Sequence, residues 1–174
     1  MTSTSHPLFD FMPPPANPVL KADLSWDQAE SALRFQFSEQ YKAFFDVYGS
    51  GSIDGELGFF SYRDSKWAQR FLDQNTILLP SDVPPLPMYP TSDVSLLPIG
   101  YDGNGYTIYA IAENGIMSDM ALWSGNRRFG EWIELEGSFL DIVHSIVSGQ
   151  VDYMAGPEEP GSPLLAPRFV ATPK

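Results

Sequence analysis

The sequence predicts an α+β fold, a mainly antiparallel sheet with helices packed on one face. Two amphipathic helical segments come before residue 50, strand-like stretches dominate from 52 to 135, and another helical segment follows Ser138. Helices, then strands, then a helix is the order of an α+β chain, not the alternation of a parallel α/β sheet. The Asn-Gly step in Asp102-Gly103-Asn104-Gly105 lies between two apolar runs and signals a hairpin, hence antiparallel pairing.

Each element has its own reason. Residues 1–20 carry Pro7, Pro13, Pro14, Pro15 and Pro18. Proline fixes φ and removes a donor, so this arm is expected to be flexible or extended and to form no helix. It also holds no Lys or Arg and no long apolar run, so no targeting signal is expected. Order is expected from Ser25, where Ser25 and Gln28 have capping-box spacing and Asp27 suits the helix dipole. Trp26, Ala29 and Leu33 then share a face. Ser38 can cap a second helix in which Tyr41, Phe44, Phe45 and Tyr48 recur at helical spacing, with Gly49 as its stop. Such a stripe is read as core.

Beyond Ser52 the period shortens. Ile53, Leu57 and Phe59 alternate with polar or glycine positions, which predicts a strand. Residues 64–72 read as a short helix, and residues 78–98, with six prolines, as a long excursion without regular structure. Residues 96–100 and 106–113 are the hairpin arms, the second apolar enough to be a central strand covered on both faces. Residues 120–123 and 132–135 are further strand candidates. Ser138 opens the last helix, whose buried face is Phe139, Ile142, Val143, Ile146 and Val147. The domain is therefore placed at 21–152, with a tail at 153–174.

Composition narrows the function. The 174 residues include 22 acidic and 10 basic side chains, a formal charge of −12, with 43% apolar residues and no cysteine. One domain of this size buries a real core. The charge disfavours nucleic acid and anionic membranes, and nowhere do about 18 apolar residues run consecutively. Without cysteine there is no disulfide framework, thiolate metal site or Cys nucleophile, and a cytoplasmic location is expected. Between Phe71 and Pro167 there are 13 acidic residues and two basic ones, a formal −11. The acidity is thus concentrated in the sheet-forming half.

No motif specifies a reaction. Asp141, His144 and Ser145 carry the letters of a triad, but neighbours on one helical turn cannot converge on a nucleophile. His144 is expected on the solvent side, paired with Asp141. Gly49-Ser50-Gly51-Ser52 follows a helix and precedes a strand, the reverse of a phosphate-cradling loop. The 102–105 turn echoes a calcium loop but lacks its further ligands, so no metal or cofactor is expected. Asp54/Glu56 and Glu134/Glu136 each place two carboxylates on one strand face, read as solvated acid.

The order of these features resembles the SUKH superfamily of Smi/Knr-type proteins over about residues 25–150. The residues that carry the likeness are the aromatic helix ending in Tyr48-Gly49-Ser50-Gly51, the run Leu96 to Gly105 before an apolar strand, and Ser138 to Val143. The resemblance implies a compact α+β fold without enzymatic activity. In bacteria it implies an immunity protein that binds and blocks a co-encoded toxin, often a nuclease. It further implies packing roles for Tyr41, Phe44 and Tyr48, a helix–strand turn at Gly49 and Gly51, and a hairpin at Gly100, Asp102 and Gly105. Tyr106 departs from the family pattern, in which an acidic residue often follows the last hairpin glycine.

The expected partner is a basic protein toxin. The candidate contact surface is Asp54, Glu56, Asp102, Asp119, Glu131, Glu134 and Glu136, with Trp123 and Trp132 as aromatic anchors. Two other readings stand beside it. One is a regulatory adaptor that engages an endogenous partner through the proline-rich arm or the 78–98 loop. The other is a small hydrolase using acidic residues.

Overall fold

The computed structural model describes residues 6–18, 22–74, 94–123, 133–151 and 167–171. Among these, seven strands form one antiparallel sheet and five helices accompany it, so the chain is α+β as the element order predicts. The helices are α1 (Pro7–Phe11), α2 (Trp26–Leu33), α3 (Glu39–Tyr48), α4 (Ser65–Gln74) and α5 (Phe139–Val147). The strands are β1 (Gly51–Ile53), β2 (Leu57–Phe59), β3 (Val94–Tyr101), β4 (Thr107–Glu113), β5 (Ile116–Trp123), β6 (Ile133–Glu136) and β7 (Phe169–Ala171). Their spatial order is β6-β5-β4-β3-β2-β1-β7.

Local chemistry explains most helix starts. Ser25 with Gln28, and Ser138 with Asp141, form reciprocal capping boxes, and the Ser38 hydroxyl accepts from the Tyr41 N–H. The Asp23 carboxylate accepts from both the Ser65 N–H and the Ser65 hydroxyl, fixing the start of α4 and holding its own carboxyl below the usual range.

The aromatic stripe of α3 is core, and it organises the fold. Tyr41, Phe44, Phe45 and Tyr48 are all buried. Ring centroids lie 5.3 Å apart for Phe44–Phe139 on α5, 5.6 Å for Phe44–Phe59 on β2 and 5.2 Å for Tyr48–Phe169 on β7. The buried phenols of Tyr41, Tyr48 and Tyr62 donate to the carbonyls of Phe60, Met12 and Pro98. A large ring is thereby buried without stranding its hydroxyl, and burial pushes all three phenols above their ordinary range.

Four elements correct the sequence reading. The arm at 1–20 is not helix-free: Pro7 occupies the first turn of α1, where its missing N–H is no loss. Leu8 and Met12 are 0% exposed, so this segment belongs to the core and is not an extended lead-in. The single strand expected after Ser52 is a hairpin, β1 and β2, turning at Asp54-Gly55 with φ of 51° and 79°. The 78–98 excursion ends early, because residues 94–98 already belong to β3; residues 78–93 lie outside the described residues. Finally, the 153–174 tail returns to the sheet. Its β7 pairs with β1, Ile53 opposite Phe169 and Gly51 opposite Ala171.

The central strand is covered on both faces, as its composition predicts. Residues 108–112 of β4 are all buried. On the helix side, Leu97, Ala110, Ala121 and Leu135 form one cross-strand row. Leu96 with Ile111, and Tyr109 with Leu122, are buried on the opposite face. A two-residue turn at Asn114-Gly115, φ 52° and 76°, starts β5 earlier than its apolar run does.

Candidate binding surface

Strand order and register decide which acidic residues meet. The β1–β2 turn, the β3–β4 turn and the start of β6 lie at one end of the sheet. Asp54 and Glu56 are exposed there. The Asp54 carboxylate accepts from the Arg168 N–H at 3.1 Å, so its turn also seats β7. The Glu56 carboxylate reaches the hairpin loop, where a side chain at Gly103 would overlap it. The two carboxylates flank one turn, Asp54 on the β7 side and Glu56 on the side of the β3–β4 loop.

The other candidates lie apart from this turn. Glu134 and Glu136 sit on β6, and β6 is four strand positions from β2, about 19 Å at 4.8 Å per strand. Glu136 and the exposed Asp119 are at the opposite sheet end, where the Asp119 carbonyl accepts from Gly137. Asp119 lies on a β5 bulge in which residues 117–121 oppose only 110–112, and the Ser118 hydroxyl donates to the Ile111 carbonyl. Glu131, Trp132 and the Trp123 side chain lie outside the described residues.

Asp102 leaves the set altogether. It is 1% exposed, and its Oδ1 accepts from the N–H groups of Asn104 at 2.9 Å and Tyr106 at 3.0 Å. This is an Asx turn, a local self-bond that short acidic side chains make at chain reversals. Asp102 builds the hairpin and cannot contact a partner.

His144 is also relocated. It is half-buried, with ring contacts to Phe11 at 5.9 Å and His6 at 6.3 Å. Asp141 bonds to Ser138 and to His6 instead of to His144. Those two bonds, the serine's first, hold the Asp141 carboxyl below the usual range. The triad letters are thus a helix cap and a helix–helix contact.

Sequence reasoning missed an aromatic pocket. Phe60, Trp67 and Tyr101 wall a cavity of about 240 Å³ together with Asp64, Lys66 and Ser61. Ring centroids are 4.4 Å apart for Phe60–Trp67 and 5.6 Å for Phe60–Tyr101. The Tyr101 ring lies across Gly58, its cross-strand partner, where any Cβ would collide with it. That glycine lets a large ring lie flat on the sheet while remaining 41% exposed. The pairing of Gly58 with Tyr101 across 43 positions has no local sequence signal.

Among the described residues no group of three or more His, Cys, Asp or Glu side chains is placed to hold a metal ion, and no helix is long and apolar enough to cross a membrane. Comparison with protein-family models, curated proteins and solved structures finds no match for this chain.

Proposed function

We propose that this chain is a non-enzymatic, cytoplasmic protein-binding module of the SUKH type, an immunity protein that neutralises a cognate basic toxin. The observation that carries the reading is the sheet end where the exposed carboxylates of Asp54 and Glu56 flank the chain reversals, in a protein of formal charge −12. Acid at that end steers a basic surface toward it. The α+β architecture, with its aromatic helix packed into an antiparallel sheet, agrees with the family resemblance.

The contact set narrows accordingly. Asp54 and Glu56 form one edge of the surface, while Asp119, Glu134 and Glu136 belong to a separate region. The adaptor reading, a regulatory partner held through the proline-rich arm or the 78–98 loop, has less support at the arm because Leu8 and Met12 there are core; residues 78–93 of the loop lie outside the described residues.

The test is inhibition of the toxin domain encoded beside this gene by the purified chain. Loss of toxin activity near a one-to-one ratio is expected. Undiminished activity at excess chain contradicts the proposal.

A further inference from the structure

The geometry points to an arginine side chain of a basic protein partner as the occupant of the pocket between Phe60, Trp67 and Tyr101. The inference rests on the protein-binding reading above and names the group that this site recognises.

Size comes first. At about 240 Å³ the pocket is smaller than the roughly 300–1,000 Å³ of small-molecule sites, and suits one long side chain. Phe60, Trp67 and Tyr101 contribute three aromatic rings to a lining that also includes Ser50, Gly51, Phe59 and Ser61, and aromatic rings attract a cation through their quadrupoles and stack against a planar guanidinium. Asp64 supplies the matching charge. Its Oδ1 accepts one bond from the Lys66 N–H at 3.0 Å, and a carboxylate offers about four acceptor sites.

The same residue types engage an arginine elsewhere in the molecule. The Arg63 guanidinium lies 5.4 Å from the Trp26 ring centre and donates to Asp46 Oδ1 at 2.8 Å. Trp26 with Asp46 holds an arginine of this chain, and the pocket offers the same two residue types, Trp67 and Asp64, in its lining. Asp64 and Lys66 are the two charged residues of the lining. Lys66, exposed on the same rim, opposes a cation, and that gives the test a sign.

The full chain is titrated with acetyl-Gly-Arg-Gly-amide and followed by the Trp67 indole and Gly58 amide resonances. Saturating shifts in the roughly millimolar range expected of a single contact are predicted, with weaker binding of the uncharged citrulline analogue and none of the Glu analogue. Lys66→Gln should tighten arginine binding about twofold by removing a like charge. Tyr101→Leu should abolish the shifts. Absent shifts with the arginine peptide, stronger binding of the Glu analogue, or weaker arginine binding in Lys66→Gln each overturn the proposal. Toxin inhibition unchanged in Tyr101→Leu removes this pocket from the interface while the immunity reading stands. Arginine-peptide binding without toxin inhibition supports the pocket while the immunity reading falls.

Discussion

His6 Nε2 lies 3.0 Å from Asp141 Oδ1, joining two segments of the fold across 135 residues. The Leu8 N–H donates to His6 Nδ1, so the ring hydrogen sits on Nε2 and points at the carboxylate. One imidazole therefore caps α1 and ties it to the first turn of α5. Beneath this contact Phe9 stacks on Tyr48 at 5.9 Å, and Leu8 and Met12 fill the core.

The N-terminal segment should consequently behave as part of the folding unit. Leu8→Ala is expected to cost about 2–5 kcal/mol by urea denaturation, the usual range for emptying a closed apolar site. Deletion of residues 1–20 should destabilise the whole domain. A truncated chain with an unchanged urea midpoint contradicts this placement.

Asp141 gives the fold a pH signature. Its carboxyl is held low by the Ser138 hydroxyl and by His6, so its folded value lies below its unfolded one. Stabilisation from such a group is complete above the unfolded carboxylate range and is lost as pH falls through the folded value. Wild type should exceed Asp141→Asn in urea midpoint at neutral pH, and the gap should begin to narrow as pH falls below about 4. Ser138→Ala should cost about 1 kcal/mol through the lost cap.

The C-terminal strand depends on the absence of a side chain at Gly51. A Cβ there would overlap the Val170 carbonyl oxygen and the Phe169 ring. Gly51→Ala is expected to cost about 1–3 kcal/mol by overpacking, with faster hydrogen exchange in β1 and β7. Unchanged exchange in both strands would show that β7 is not seated on β1.

Asp102 separates structure from recognition. Asp102→Ala unties the Asn104 and Tyr106 N–H groups and should cost about 1–3 kcal/mol. At matched folded concentration it should leave partner affinity unchanged, whereas Asp54→Asn and Glu56→Gln should weaken it.

What the sequence reveals follows the range of each interaction. The capping residues Ser25, Ser38 and Ser138 act within three positions, and the α3 stripe repeats at helical spacing, so these elements are legible. Helix α1 has five residues and β7 three, too short for a periodic signal; the contacts of Phe9 and Phe169 with Tyr48 hold them in place. The turns at Asp54-Gly55 and Asn114-Gly115 do carry local signals. Alternation of Ile53, Leu57 and Phe59 masks the first, and the long apolar run of β4 draws attention from the second. The acidic residues are visible in the sequence, but only strand order shows that Glu134 and Glu56 lie four strand positions apart. The Asx-turn role of Asp102 is local and could be read from Asp102-Gly103-Asn104 alone.

The central claim is tested most directly by calorimetric titration of the neighbouring gene's product, which the proposal expects to be the toxin, with this chain at low and at moderate salt. A one-to-one complex is expected, with affinity falling as salt rises and falling further in the Asp54→Asn, Glu56→Gln double variant. Absence of binding, or an affinity indifferent to both salt and those two carboxylates, contradicts recognition through the acidic sheet end.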